Sequence, residues 1–222
     1  MGGEGLAYLY VMLSRSDTAM GRFIRTFTRS TFNHVSVSLD DSLSCFVSFA
    51  RYRVDIPLAG GYVQEDAQRL LYRGNPLPVV IFRLEIPEAQ RQELALLFAH
   101  AGEPDAPIYN TLGALLSWLH LPCPVPGAYT CLVFANRLLG TRYRSIPALQ
   151  KGLAPYAFFE GNLGDLVSDN GSREDLFFCR RGFVKGTGDT FAHFGRVLGR
   201  VTRLTKAPDP IAEFSFANRE AK

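Results

Sequence analysis

Residues 31–50, TFNHVSVSLDDSLSCFVSFA, have the pattern of two antiparallel β-strands joined by a turn at Asp40-Asp41-Ser42. In the first strand, apolar side chains at odd positions alternate with His34 and small serines at even positions, and alternate residues of a strand point to opposite faces. Small hydroxyl residues beside an imidazole leave room for another element to dock. The hairpin therefore predicts a sheet on which a further element packs beside His34.

Further strands and helices are predicted on both sides of this hairpin. Short apolar runs predict strands at 6–14 and 77–86, and a last strand is a candidate at 176–179. Helices are predicted after Ser16, with the apolar stripe Met20, Phe23, Ile24 and Phe27, and at 87–101, 109–120 and 130–140. Residues 51–74 look like a long excursion in which Gly60-Gly61 permits a bend. Strands separated by helices predict an α+β domain with an antiparallel sheet.

Composition and charge suit one globular domain with a basic C-terminal extension. The 222 residues are 47% hydrophobic and carry a formal net charge of +3, which is too apolar and too weakly charged for a disordered chain. Residues 1–185 are predicted to form the domain, and residues 186–222 a basic, partly helical extension. Since the cysteines are irregularly spaced and the sequence shows neither an export signal nor an apolar run of about 20 residues, we expect a cytoplasmic chain with reduced thiols.

Cys131 is the strongest candidate for a nucleophile. Thr130 is a good N-cap, so Cys131 is expected in the first turn of a helix that ends at Gly140. Unpaired N–H groups and the helix dipole favour an anion there, and the same N–H groups can stabilise an oxyanion. With His34 as general base, Cys131 can attack a carbonyl. The alternative is that Cys131 is a small buried hydrophobe and His34 a structural residue.

Several short motifs occur in the order found in one family of cysteine hydrolases. They are NHVSVSLD at 33–40, VSF at 47–49, GGYVQE at 60–65, YNTLG at 109–113, YTCLVF at 129–134 and FEGNL at 159–163. Together they resemble the NlpC-type cysteine hydrolases, and within these the circularly permuted, YiiX-like branch. The resemblance implies a permuted papain-like core with the nucleophile on a helix N-terminus. It also implies that Cys131 and His34 cleave an amide or ester bond of a peptide, amide or acyl-ester substrate, and no cofactor is expected.

Two positions depart from the pattern of these relatives. They usually place a small polar residue directly after the nucleophile, where this chain has Leu132, and many place a carboxylate where this chain has Ser48. Ser48 is therefore predicted as the group that orients His34, with Glu65 or Asp66 as possible substitutes from the following loop. Contacts with the substrate are predicted at Tyr10, Gly61, Tyr62, Glu65, Tyr129 and Thr130.

Other sites and functions were weighed against this hypothesis. A metal site is disfavoured because two prolines flank Cys123 and no second tight pair of ligands exists; its ligands would be His100, His120, Cys123 and Cys131. Tyr10 either donates to an oxyanion or packs in an aromatic core.

The basic C-terminal segment offers a function of a different class. If residues 190–206 form a helix, apolar side chains share one face and arginines lie opposite, which is typical of weak contact with a membrane surface or of a helix that covers the core. A catalytically weak binding module that contacts lipid or an anionic partner is therefore the alternative to an enzyme. Binding of nucleic acid is not expected, because nothing beyond charge supports it.

Overall fold

A single sheet is the framework of the computed structural model, which describes residues 6–18, 21–22, 25–26, 30–56, 59–71, 76–100, 107–116, 123–167, 177, 183–202 and 211. Within them, the strands are β1 (Leu6–Ser14), β2 (His34–Ser38), β3 (Cys45–Arg51), β4 (Gly60–Asp66), β5 (Pro78–Pro87), β6 (Ile108–Tyr109), β7 (Ala128–Tyr129) and β8 (Ala157–Asn162). Their order is β7-β6-β4-β3-β2-β1-β5-β8, and neighbours are antiparallel apart from the parallel pair β6 and β7. The expected α+β class with an antiparallel sheet is confirmed.

The helices of the described part are mostly short and lie between strands. They are α1 (Ala67–Leu70), α2 (Glu88–His100), α3 (Thr111–Leu116), α4 (Cys131–Leu139), α5 (Ile146–Leu153) and α6 (Phe183–Thr202). Two 3-10 turns, Ala154–Tyr156 and Leu163–Asp165, flank β8. The helices predicted at 87–101 and 130–140 are confirmed within two residues.

The two faces of the sheet carry separate apolar cores. The first core contains Leu9, Val11, Leu13, Val35, Val37, Val47 and Phe49 from the strands. Leu94 of α2, Phe134 of α4 and Leu149 of α5 pack against the same residues, so these three helices cover this face. The second core contains Tyr10, Met12, Phe46, Val79, Ile81 and Leu163. Alternation along β1 assigns even residues to the second core and odd residues to the first.

The hairpin forms as predicted, but the helix that carries Cys131 docks on the other face. Val35 and Val37 are fully buried in the first core together with Phe134 of α4, whereas the sequence predicted docking beside the serines. The helix docks on the valine face because α4 presents an apolar stripe. Burying this stripe against valines gives a more favourable free energy than burying it against hydroxyl groups. The Ser38 hydroxyl instead donates to the carbonyl oxygen of Cys45 at 2.6 Å.

The segment predicted as a long excursion contains a strand. β4 pairs with β3 along its whole length, from Gly60 opposite Arg51 to Asp66 opposite Cys45. Gly61 lies within this strand, where a Cβ atom would collide with the hydroxyl of Tyr52. The glycine therefore permits a close side-chain approach rather than a bend.

Other differences concern elements that the sequence did not indicate or that lie outside the description. β8 and α5 were not predicted as a strand and a helix. The helix at 109–120 is described only as α3. The stripe Met20, Phe23, Ile24 and Phe27 lies outside the described residues, as does the strand predicted at 176–179 apart from Phe177.

The C-terminal helix α6 crosses the predicted domain boundary and packs on the domain. Val197 is fully buried against Ile108, Val125 and Ala128. Phe191 is 75% exposed on the same helix. Among the described residues, no helix combines the length and the apolar character needed to cross a bilayer.

Candidate active site

Local sequence fixes Cys131 at the first position of α4. Thr130 is the N-cap, with an extended backbone, and its hydroxyl accepts a hydrogen bond from the backbone N–H of Val133 at 3.3 Å. Gly140 ends the helix with φ 63°, a left-handed conformation that favours glycine. Both caps were predicted from the sequence. Cys131 therefore lies in the first turn of α4, at the helix end whose dipole favours negative charge.

His34 is the first residue of β2, and its ring lies between a carboxylate and the Cys131 thiol. Its Nε2 donates to Glu65, with both carboxylate oxygens within 3.0 Å. The Cys131 thiol also acts on this ring, because its hydrogen bonding and its charge are among the causes that raise the pKa of His34. Because Nε2 faces Glu65, the other ring nitrogen, Nδ1, is left for the thiol. Both residues begin their elements, so their contact lies at the ends of β2 and α4 rather than across a strand face.

The electrostatics of this cluster favour a protonated ring. Burial opposes protonation of His34, but the Glu65 charge and the hydrogen bonds to Cys131 and Glu65 outweigh it and raise the pKa of His34 to about 10. Burial likewise opposes ionisation of Glu65, yet the charge and hydrogen bond of His34 and the charge of Arg69 lower its pKa. The surroundings of His34 therefore favour an imidazolium beside the ionised Glu65 carboxylate.

Glu65, rather than Ser48, is the group that contacts His34. Glu65 lies on β4, not on a loop, and its side chain is 5% exposed, so it is placed behind the ring rather than on a substrate-facing surface. Ser48 is fully buried on the intervening strand β3 and helps to lower the pKa of Glu65. Its Oγ makes no hydrogen bond of normal geometry within the described residues.

Tyr109 is a neighbour of Cys131 that the sequence did not single out. Burial, and then the charge of Cys131, raise the pKa of the Tyr109 phenol, while the charge of Arg51 opposes this rise. The backbone of Tyr109 is fixed by α6, because His193 is fully buried and its Nε2 donates to the Tyr109 carbonyl oxygen at 3.1 Å. In the sequence, Tyr109 is the first residue of the YNTLG motif at 109–113, but no function was predicted for it from that position.

The residues predicted to contact the substrate lie in different parts of the structure. Tyr10 lies in the second core, where its hydroxyl donates to Asp41 at 3.1 Å, which agrees with the core-packing alternative given for this residue. Tyr10 packs in this core because it occupies an even position of β1, and the even positions of this strand face the second core. Thr130 acts as the helix cap. Tyr129 is buried in the first core and is paired with Tyr109 across β6 and β7.

Tyr62 and Gly61 lie on β4 beside this cluster. The Tyr62 ring packs edge-on against Phe134 of α4, at 6.4 Å between ring centres. Its hydroxyl is buried and has no hydrogen-bond partner among the described residues, and burial raises its pKa. Gly61 accommodates Tyr52, as described above.

The described cysteines are free thiols, and they do not form a metal centre. Cys45, Cys123 and Cys131 are unpaired, and no cluster of three or more metal-binding side chains occurs in the part of the chain that the structure describes. Cys123 packs against the buried residues around Val197. His120, a candidate ligand in the sequence, lies outside the described residues.

Comparison of the chain with protein-family models, with curated proteins and with solved structures finds no match. Any role for Cys131 and its neighbours therefore follows from their geometry and chemistry.

Proposed function

We propose that the chain is a cysteine hydrolase with a permuted papain-like, NlpC-type fold, which cleaves an amide or ester bond through a thioester. Cys131 is the nucleophile, His34 the general base and Glu65 the residue that orients His34. The observation that carries the proposal is the His34 ring, which donates to a buried carboxylate and also interacts with a thiol at a helix N-terminus. The strand with the histidine precedes the helix with the cysteine, which fits a permuted order.

The charges of the site suit a nucleophilic thiolate. Since the pKa of His34 is raised, the ring holds a proton at neutral pH and supplies a positive charge beside the sulfur. The N-terminal dipole of α4 adds partial positive charge at the same atom. A neighbouring imidazolium and a helix N-terminus are the two environments that most favour a cysteine thiolate.

The first half of the reaction forms the thioester. The Cys131 sulfur bonds to the carbonyl carbon, and the carbonyl electron pair moves to the oxygen. That oxyanion accepts hydrogen bonds from the backbone N–H of Cys131 and from the hydroxyl of Tyr109. When the tetrahedral intermediate collapses, the C–N or C–O bond breaks and the leaving group takes the proton of His34.

The second half releases the acid. Neutral His34 takes a proton from water, and the water oxygen bonds to the thioester carbon. The carbon–sulfur bond then breaks, which restores the thiolate and the imidazolium. Glu65 stays ionised throughout, because its lowered pKa keeps the proton on the ring.

Selective alkylation tests the proposal directly. The protein is treated with iodoacetamide at about pH 6, and each modified cysteine is quantified by peptide mass spectrometry. We expect Cys131 to react faster than Cys45 and Cys123, and His34→Gln to slow Cys131 by at least about tenfold while leaving Cys123 unchanged. Equal rates at the three cysteines, or no effect of His34→Gln, would contradict the proposal.

A second candidate function is contact with an anionic membrane surface through α6. Among residues 187–202 of this helix, large apolar side chains are exposed at Phe191 (75%), Leu198 (42%) and Val201 (45%). The exposed Arg196 adds positive charge on the same helix, and such a combination suits the lipid interface. Sedimentation with anionic phosphatidylglycerol vesicles tests it, and the double variant Phe191→Ser/Leu198→Ser should reduce the bound fraction. Unchanged partitioning of this variant would remove the membrane function without affecting the hydrolase.

A further inference from the structure

The strand β7 ends at Tyr129, two positions before Cys131, so the placement of this strand sets where α4 begins. β7 and its parallel partner β6 have two residues each. The N–H of Ile108 donates to the Gly127 carbonyl oxygen at 3.0 Å. The N–H of Asn110 donates to the Tyr129 carbonyl oxygen at 2.9 Å. A pair of strands this short depends for its stability on the elements that pack against it.

The helix α6 packs against this pair and bonds to both of its strands. His193 is fully buried, and its Nε2 donates at 3.1 Å to the carbonyl oxygen of Tyr109, the last residue of β6. Two helical turns later, Nη1 of Arg200 donates to the carbonyl oxygen of Gly127, directly before β7. Val197 lies between them on the same helix face and is fully buried against both strands. We refer to His193, Val197 and Arg200 as the α6 clamp.

The contacts of His193 fit a neutral imidazole ring. Because a carbonyl oxygen can only accept a hydrogen bond, the Nε2 atom that faces Tyr109 carries a proton. The Nδ1 atom lies 3.5 Å from Nη2 of Arg196, and a guanidinium can only donate, so Nδ1 must supply a lone pair. A second proton on the ring would sit on Nδ1, break this contact and place two positive charges side by side.

The charges around the ring oppose its protonation as well. Titratable and charged side chains near this ring on α6, and on the elements that α6 covers, are Asp189, Arg196, Arg200, Tyr109 and Cys123. Burial lowers the pKa of His193 below 6.5, the hydrogen bond to Tyr109 opposes this, and the charges of the two arginines add to the lowering. The contribution of the neutral ring to stability is therefore fully present above about pH 6.5 and is lost as pH falls through the lowered pKa.

We infer that His193 is a positioning residue for Cys131: its neutral ring holds β6 against β7 through the α6 clamp, and its protonation in acid releases the clamp and slows the nucleophile. The inference rests on the proposed cysteine hydrolase function. The pKa of His34 is raised to about 10 and that of Glu65 is lowered from 4.5, so both keep their charge between pH 5 and 7.5. Within that range, the charge of His193 can change while theirs does not.

The variant His193→Gln tests this inference, because a glutamine amide can donate to Tyr109 and accept from Arg196 but does not take up a proton. The rate of alkylation of Cys131 by iodoacetamide is measured by peptide mass spectrometry from pH 7.5 to pH 5, in the variant and in the unaltered protein. Ionisation of the thiol affects both proteins alike and cancels in the ratio of their rates. We expect the unaltered-to-variant ratio to be about 1 at pH 7.5 and to fall at least about threefold by pH 5.

A second variant, His193→Leu, removes the donor that holds Tyr109 and should slow Cys131 about fivefold at pH 7.5, where His193→Gln should not. Leu163→Val is the control, because Leu163 lies in the second core, and it should leave the rate unchanged. If His193→Leu does not fold, amide exchange of Asn110 is compared in the unaltered protein and His193→Gln. Its protection should fall in acid in the unaltered protein alone.

Failure of this inference and failure of the proposed function give different results. If Cys131 reacts no faster than Cys45 and Cys123 at any pH, the hydrolase itself is contradicted. If Cys131 is selectively reactive but the ratio of unaltered protein to His193→Gln stays constant from pH 7.5 to pH 5, only the α6 clamp is overturned. Equal rates for His193→Leu and the unaltered protein would overturn it too.

Discussion

Among single residues, the buried pair of His34 and Glu65 should have the largest effect on the electrostatics of the candidate site and on stability. The side chain of Glu65 is 5% exposed and that of His34 is 16% exposed, so little water screens their interaction. Removing one partner of such a pair leaves the other charge buried without compensation. Glu65 therefore links the chemistry of the site to the stability of the fold.

Glu65→Gln should destabilise the protein in a pH-dependent way. Because the pKa of His34 is raised from 6.5 to about 10, its contribution to stability is fully present below about pH 6.5 and is lost as pH rises through 10. The lowered pKa of Glu65 makes its contribution present above about pH 4.5 and lost only at lower pH. We expect a loss on the order of 3 kcal/mol between pH 5 and 6.5, and a smaller loss near pH 10.

Thermal unfolding of the two proteins across pH 5–10 measures this difference. Glu160→Gln is the control, because Glu160 is exposed on the edge strand β8, and it should lower the melting temperature little at any pH. A gap for Glu65→Gln that stays constant from pH 5 to 10 would show that the carboxylate does not stabilise a protonated His34.

At this scale the sequence singled out Cys131 and His34 and named Glu65 only as an alternative to Ser48 for the group that contacts His34. Thr130 and Gly140 are caps that act through their own neighbours, so the position of Cys131 could be predicted locally. Glu65 lies 31 positions from His34 and reaches it from β4, with β3 between them in the sheet. Such a contact depends on strand order, which local patterns do not encode, and Ser48 was predicted because it occupies the position at which many of the resembling proteins place a carboxylate.

Among the elements, α4 is the helix in which the N-cap residue Thr130 is expected to affect the reactivity of the Cys131 thiol. Thr130→Ala removes the hydroxyl that accepts from Val133, which should cost about 1 kcal/mol and loosen the first turn around Cys131. We expect alkylation of Cys131 at about pH 6 to slow severalfold. Ser145→Ala is a matched control, because Ser145 caps α5 with the same 3.3 Å hydrogen bond, to Ala148. It should lower stability by a similar amount without changing the reactivity of Cys131; equal slowing by both variants would contradict the local role of the cap.

The helix α6 shows that a domain boundary predicted from composition can differ from the boundary that the packing of side chains defines. The basic excess after residue 185 suggested an extension, yet Val197 is fully buried against β6, β7 and the loop before β7. Val197→Ala should cost about 1–2 kcal/mol of unfolding free energy, whereas Phe191→Ala, at a position that is 75% exposed, should cost less than about 0.5 kcal/mol. Chemical denaturation measures both, and equal losses would mean that α6 does not dock as described.

The strand β4 and the edge strand β8 were missed for related reasons. Gly60 and Gly61 weaken any strand signal, although a Cβ atom would collide with the backbone of Ala50 at Gly60 and with the hydroxyl of Tyr52 at Gly61. β8 is largely exposed, so it lacks the alternation that marks a strand with one buried face. By contrast, β1 is buried along nearly all its length, and its limits at Leu6 and Ser14 were predicted from its apolar run.

At the scale of the whole molecule, the first core holds α4, the helix that begins at Cys131, on the sheet. Phe49 of β3 contacts the rings of Tyr62, Tyr129 and Phe134 at 6.1, 5.3 and 5.1 Å, and so joins β3 to β4, β7 and α4. The second core, around Leu163, lies on the opposite face and contains no residue of α4. The position of Cys131 relative to His34 should therefore depend on the first core far more than on the second.

Two substitutions that should lower the free energy of unfolding by similar amounts distinguish the effect of the first core on Cys131 from that of the second core. Phe49→Leu and Leu163→Val each remove buried apolar volume, and each should cost roughly 1–2 kcal/mol. Because only Phe49 packs on the helix that begins at Cys131, Phe49→Leu should slow alkylation of Cys131 several-fold, while Leu163→Val should leave it unchanged. Rates are compared after denaturant titration has shown that both variants are fully folded under the labelling conditions. If Leu163→Val slows alkylation as much as Phe49→Leu, reactivity follows global stability and not the packing of α4 on the sheet.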